Sequence, residues 1–229
     1  MQMMYGLVLG VIVGTMVSSE FGATYLQPLG KLILTAFIAT LIFVCITYLP
    51  IIKLIGMKIS DYLKGAFEPW LIAFTTCSSA AALAVNLEAS RKMGASKAIA
   101  SFAIPLGNTI NMNGTSIYMG VTAVFAAEVF GIDLTLAQQF QIVLMGVLAA
   151  VGTAGVPGAG LIMTTLVFTE VGIPLEAVAL IAGIDRILDM IRTSVNVLGD
   201  SLTALVVSKS EGVLGTELMD QDTVVKEQL

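Results

Sequence analysis

Charged positions divide the chain into long apolar blocks. Residues 1–19, 32–52, 69–87, 98–127 and 134–169 contain no Asp, Glu, Lys or Arg. Roughly 20 apolar residues suffice for a helix to cross a bilayer, so these blocks predict membrane segments and an all-α integral membrane protein. Met1–Ser19 lacks the basic start and small-residue cleavage site of a signal peptide, so 1–27 is read as the end of a spanning helix and an external loop. A spanning helix over 28–52 follows, and Lys53, Lys58 and Lys64 place the next loop on the cytoplasmic side.

Three of the blocks do not read as simple spans. The segment 65–90 has basic residues beyond both ends, Lys64 before it and Arg91, Lys92 and Lys97 after it. Both ends are then cytoplasmic, which predicts a re-entrant hairpin turning at the small polar run Thr75–Ser79. Irregular backbone at membrane depth survives only where protein or a water-filled cavity satisfies it, so the tip is expected to line a site. The block 98–127 has 30 uncharged residues, about 45 Å as a helix against a core near 30 Å, and Asn111-Met112-Asn113-Gly114-Thr115 marks a break in a helix over 98–130. The block 134–169 holds four glycines and a proline within Gly152–Gly160, which predicts a second hairpin over 134–170, entering from outside. A polar spanning helix over 177–208 and a cytoplasmic polar tail over 209–229 complete the chain. Residues 28–208 thus form one core of two oppositely oriented re-entrant helical hairpins with broken and polar spanning helices. That is the inverted-repeat layout of secondary transporters.

Composition narrows the chemistry. The 229 residues are 57% apolar and 12% charged, with a mean hydropathy of +0.94. There is no histidine, and Cys45 and Cys77 are the only cysteines, which sets aside zinc sites, haem ligation, histidine-based catalysis and a disulfide framework. The net charge of −5 comes partly from the tail, and no basic patch with aromatics points to nucleic acid.

In the last span Asp185, Asp189, Arg192, Asn196 and Asp200 fall within a stripe roughly 80° wide at about 100° per residue. Ionisable groups inside a membrane are expensive and are expected to face protein or water. A plain ion-pair ladder is the alternative, since Asp189 and Arg192 are spaced to pair, but Asn196 and Asp200 have no basic partner in that helix. Arg186 lies off the stripe and is expected at the interface or against a neighbouring acid. Asp200 with the carbonyls around Asn111 and Asn196 suits Na⁺, a hard cation that takes oxygen ligands. Arg192 suits a carboxylate, because its planar fork donates two parallel bonds, and Asp189 one turn earlier suits an ammonium group. Ser78, Ser79 and Thr153 offer hydroxyls at the hairpin tips; Thr115 and Tyr118 are candidate site-liners, although helix packing is the stronger reading for Tyr118.

Four motifs, Thr76-Cys77-Ser78-Ser79, N-M-N-G-T at 111–115, G-T-A-G-V-P-G-A-G at 152–160 and D-R-I-L-D-M-I-R-T-S-V-N-V-L-G-D at 185–200, resemble in order the C-terminal portion of the dicarboxylate/amino acid:cation symporters, the glutamate transporter family. The resemblance implies a multi-pass protein of the cell (inner) membrane, in contact with lipid, a homotrimer when full length, whose elevator-type transport domain carries substrate and Na⁺ together. It implies that Arg192 holds the side-chain carboxylate of an acidic amino acid, Asp189 its amino group, and Asn196, Thr193, Thr115, Ser78, Ser79 and the Val156–Gly158 turn the rest. Gly107, Asn111, Asn196 and Asp200 would form one sodium site, and Thr109 with Val151 and Thr153 a second. Na⁺ is cargo there, and the function implied is symport, not enzymatic. Within the family, a C4-dicarboxylate substrate or proton coupling is the near variant; a non-transporting channel or scaffold subunit and an intramembrane hydrolase are the distant ones.

The chain departs from the family where N-M-D-G-T usually stands, Asn113 replacing an aspartate that serves a third sodium site, and this leaves the coupling ratio open. Cys77 and Ala84 stand where many members have an arginine or serine and a proline. Members are nearly twice this length, so the expectation is an N-terminally truncated fragment that does not transport alone.

Overall fold

The computed structural model describes residues 20–216, and every regular element among them is helical. Helix α1 (Glu20–Phe43), a π-helical turn (Val44–Tyr48) and α2 (Leu49–Leu54) form one continuous rod. Pro50 explains the wide turn. It has no N–H to offer Ile46 and its ring crowds that carbonyl, so the Leu49 N–H reaches back to Val44 instead. The extra residue swings Tyr48 into the core, where it is 4% exposed. Among the described residues the rod runs from Glu20, so Glu20–Gln27 is helix within the stretch expected to hold a helix end and an external loop, and Pro28 lies inside it at the loss of one backbone bond. The segments 1–19 and 217–229, with the expected helix end and most of the tail, lie outside the described residues.

After a short α3 (Ile59–Gly65), α4 (Phe67–Thr76) and α5 (Ser79–Lys92) form a helical hairpin. Cys77 turns the chain in the left-handed region at φ 55°, its N–H closing on Ala73, and Ser78 caps α5 by accepting the Ala81 N–H at 3.2 Å. Helix α6 (Lys97–Ile110) stops at Asn111 and Met112, and α7 (Asn113–Val129) resumes after them. Helix α8 (Leu136–Val151), started by a capping box of Thr135 and Gln138, is separated from α9 (Ala159–Val171) by the glycine-rich turn 152–158. The polar helix expected over 177–208 is two pieces. α10 (Glu176–Ala182) ends at Gly183, and α11 (Asp185–Ser210) starts anew with Asp185 in its first turn, where the helix dipole favours an acid.

α11 is the axis of the molecule, packed against α4, α5, α6 and α7. One apolar cluster, around Met119, Phe168 and Ile181, fills the space between α1, α7 and α9; another, around Ile52, Tyr62, Ile104 and Leu205, surrounds the far half of α11. The outward faces of α1, the π turn and α8 are apolar too: Ile46 is 71% exposed and Leu136 83%, with Leu34, Leu41, Phe140 and Val143 alongside. Such faces need lipid or protein over them. Gln27–Leu54 is the one described helix long and apolar enough to cross a membrane. α8, at 16 residues and therefore about 24 Å, is shorter than a hydrocarbon core.

Candidate functional site

The stripe on α11 faces inward: Asp185, Asp189, Arg192, Asn196 and Asp200 are all buried, none more than 7% exposed. Arg192 Nη2 donates to Asp189 Oδ1 at 2.7 Å, and its guanidinium lies 4.9 Å above the Tyr118 ring. Tyr118 in turn donates to Asp185 at 2.8 Å, so its hydroxyl is engaged and its face supports the cation. The same Asp189 accepts from Thr193 Oγ1 at 2.7 Å and, through Oδ2, from the Gly158 N–H at 2.9 Å. Arg192 Nη1 is buried with no hydrogen-bond partner among the described residues. A buried guanidinium donor left unmade costs about 1–3 kcal/mol, so this nitrogen favours an incoming anion. Gly160 makes its position possible, since a Cβ there would overlap Nη1.

The two hairpin tips meet over this pair. The Gly155 carbonyl accepts from Ser78 Oγ at 2.9 Å and from the Ala80 N–H at 3.2 Å, and a Cβ on Gly155 would overlap the Ser79 hydroxyl. Beneath them Asn196 joins α11 to the break between α6 and α7, its Oδ1 accepting the Gly114 N–H at 2.8 Å and its Nδ2 donating to Thr115 at 3.1 Å. Ser79, Thr115, Val156, Arg192, Thr193 and Asn196 line a cavity of about 10 Å³. That volume holds about one water, so a larger ligand requires the tips to part.

One helical turn further along α11, Asp200 accepts from Asn111 Nδ2 at 2.8 Å, and that amide also donates to the Asn196 carbonyl at 3.2 Å. Gly107 sits directly against the Asp200 carboxylate. Asn113 donates to Asn111 Oδ1 at 2.7 Å and to the Tyr48 hydroxyl at 3.1 Å, which fixes which end of the Asn111 amide faces the acid. One carboxylate beside backbone carbonyl oxygens, with Asn196 near it, is the donor set of a hard monovalent cation. No group of three His, Cys, Asp or Glu residues gathers among the described residues. Thr109, Val151 and Thr153 form no polar cluster: Thr109 is exposed and donates to Leu106, Thr153 donates to Ala149, and Val151 is 49% exposed.

Of the two positions expected for Arg186, the exposed one holds: its side chain lies at the surface and donates to the carbonyls of Thr75 and Thr76, at 2.9 and 3.4 Å, and so tethers the end of α4. Sequence reasoning missed Tyr48 and Tyr62. Both are buried and donate to α11 carbonyls, and the one signal for Tyr48 was a phenol within an otherwise apolar block beside Pro50.

Residues 1–210 match the sodium:dicarboxylate symporter family. The chain is 39% identical over 199 residues to the proton/sodium-glutamate symport protein of Geobacillus stearothermophilus, which covers 87% of this chain and 47% of that protein. It is 37% identical over 193 residues to the proton/glutamate-aspartate symporter of Escherichia coli (strain K12), with 84% and 44% covered. Against the C4-dicarboxylate transport protein of Bacillus subtilis (strain 168) it is 37% identical over 194 residues, with 84% and 46% covered. The chain thus spans about half the length of the curated relatives it matches.

Proposed function

The chain belongs to the sodium:dicarboxylate symporter family, a family of membrane transporters and not of enzymes, and on that premise we propose that it carries the substrate and cation sites of a symporter coupling Na⁺ entry to uptake of glutamate or aspartate. The observation that carries this reading is the buried Arg192, paired on one side with Asp189 and unpartnered at Nη1. A dicarboxylic amino acid brings a carboxylate for Nη1 and an ammonium for Asp189. Asn196, Thr115, Thr193, Ser78, Ser79 and the Val156–Gly158 turn surround the remainder, and Gly107, Asn111, Asn196 and Asp200 hold a sodium ion. Thr109, Thr153 and the Val151 carbonyl form a second ion site after the α8–α9 tip has moved, since the two threonine hydroxyls now bond their own helices.

The α4–α5 and α8–α9 hairpins enter the membrane from opposite faces and return, which agrees with arms too short to cross it. Substrate entry releases Gly158 from Asp189, because the ammonium claims that carboxylate, and the α8–α9 tip then closes over the ligand. The domain moves as an elevator within a homotrimer of the full-length protein in the cell membrane. The near variant is proton coupling, which the names of two relatives state for those proteins. Radiolabelled aspartate binding to the chain in detergent, in NaCl against choline chloride and at two pH values, separates them. Na⁺-dependent binding that succinate does not displace supports the reading; binding that follows pH alone favours proton coupling, displacement by succinate a plain dicarboxylate substrate, and no binding at all the channel or scaffold alternative.

A further inference from the structure

Four consecutive carbonyls of α11 each accept a side-chain hydrogen bond from a different element. Val195 accepts from Tyr48 Oη at 3.2 Å, Asn196 from Asn111 Nδ2 at 3.2 Å, Val197 from Asn86 Nδ2 at 3.2 Å and Leu198 from Tyr62 Oη at 2.6 Å. Successive residues of a helix point about 100° apart, so the four donors reach this turn from all sides. They come from the π turn, the α6–α7 break, α5 and α3. Asn86 and Tyr62 are each 1% exposed, and Tyr62 also bonds Ser201 at 3.0 Å. Gly199 is the notch that admits two of them, because a Cβ there would overlap both Asn111 Nδ2 and the Tyr48 hydroxyl.

We propose that Tyr48, Asn86 and Tyr62 are positioning residues for the cation site: with Asn111 they form a collar that fixes the rotation and height of α11, and thereby the Asn196 carbonyl and the Asp200 carboxylate. The proposal rests on the sodium reading above. Helix packing within a membrane lacks a hydrophobic gradient to set rotation, and lateral hydrogen bonds set it instead. A rotation of about 20° moves a carboxylate some 6 Å from the helix axis by about 2 Å, ten times the tolerance of a metal–ligand distance. The collar is joined to the ion ligands by a continuous chain, since Asn113 bonds both Tyr48 and Asn111, and Asn111 bonds Asp200.

The test is the thermal unfolding of the full chain in detergent, titrated with NaCl at constant ionic strength in choline chloride. Tyr62→Phe and Tyr48→Phe each remove one oxygen. Either should raise the Na⁺ concentration giving half the stabilisation about three- to tenfold, the range expected from one lost hydrogen bond. Asn86→Ala should do the same, and it carries the test if a tyrosine variant does not fold. Ser90→Ala removes a buried hydroxyl one turn from Asn86 that bonds no α11 carbonyl, and should leave the half-point unchanged. A lower melting temperature with an unmoved Na⁺ half-point in the collar variants, or a shift of equal size in Ser90→Ala, would overturn the proposal while sparing the sodium reading. A wild-type chain that gains no stability from Na⁺ overturns both.

Discussion

The tip between α4 and α5 is tied to α11 through Arg186, whose guanidinium holds the Thr75 and Thr76 carbonyls, and through the Cys77 thiol against the Arg186 carbonyl at 3.8 Å. The tip between α8 and α9 is tied to α11 through the Gly158 N–H on Asp189. The first tether uses a side chain that stands outside the proposed pocket. The second uses the carboxylate that the substrate's ammonium is proposed to take. Two hairpins meeting at one carbonyl, Gly155, are therefore held by bonds of opposite fate, and glycines let the second tip approach Ser79, at Gly155, and Arg192, at Gly160. The lesson is that gating is assigned by what each tip borrows from the binding site.

The comparison breaks most sharply at Gly160. Gly160→Val puts a branched side chain where the Arg192 guanidinium lies, and aspartate binding should weaken about 100-fold, the upper end for overpacking a filled site. Ala81→Val, exposed on the other hairpin, should change it less than about twofold, within the range of ordinary surface substitutions. Equal losses in the two variants would mean that the tips are equivalent. Asp189→Asn comes next: it removes the charge from the Arg192 pair and from the proposed ammonium contact. Equilibrium binding should fall about 10- to 50-fold, the cost of weakening hydrogen bonds to a buried charged group.

Arg186→Gln sharpens the same contrast. Amide exchange at Thr76–Ser79 should rise about tenfold, from the loss of bonds donated by a charged group at a partly solvated site, while aspartate affinity moves less than about threefold. Added aspartate and Na⁺ should slow exchange in Gly152–Gly160 far more than in Thr75–Ser79. The smallest effect belongs to Lys92→Gln, which breaks the exposed Lys92–Glu88 pair at 2.7 Å at the far end of α5 and should leave binding unchanged.

Much of this was legible because membrane segments announce their irregularities. In an apolar block an asparagine pair or a run of glycines has few structural excuses, and N-M-N-G-T and G-T-A-G-V-P-G-A-G stand where α6 ends and where the α8–α9 turn lies. The stripe on α11 was legible from the 3.6-residue repeat alone. Other features required the tertiary structure. No local pattern says that Arg186 will find carbonyls 110 and 111 residues away, or that Tyr62 will reach Leu198. The helical state of Glu20–Gln27 and the division of the last span at Gly183 were hidden for the opposite reason, since Pro28 suggested a boundary that the rod ignores and one glycine among apolar residues suggested none.

The central claim is that Arg192 reads a second carboxylate. Arg192→Cys, assayed beside the wild type for binding of labelled aspartate and labelled serine in saturating NaCl, tests it most directly. Loss of at least 100-fold in aspartate affinity, from removing one partner of a buried charge pair, with serine binding retained or gained, is the predicted result. Unchanged aspartate affinity in the variant would contradict it.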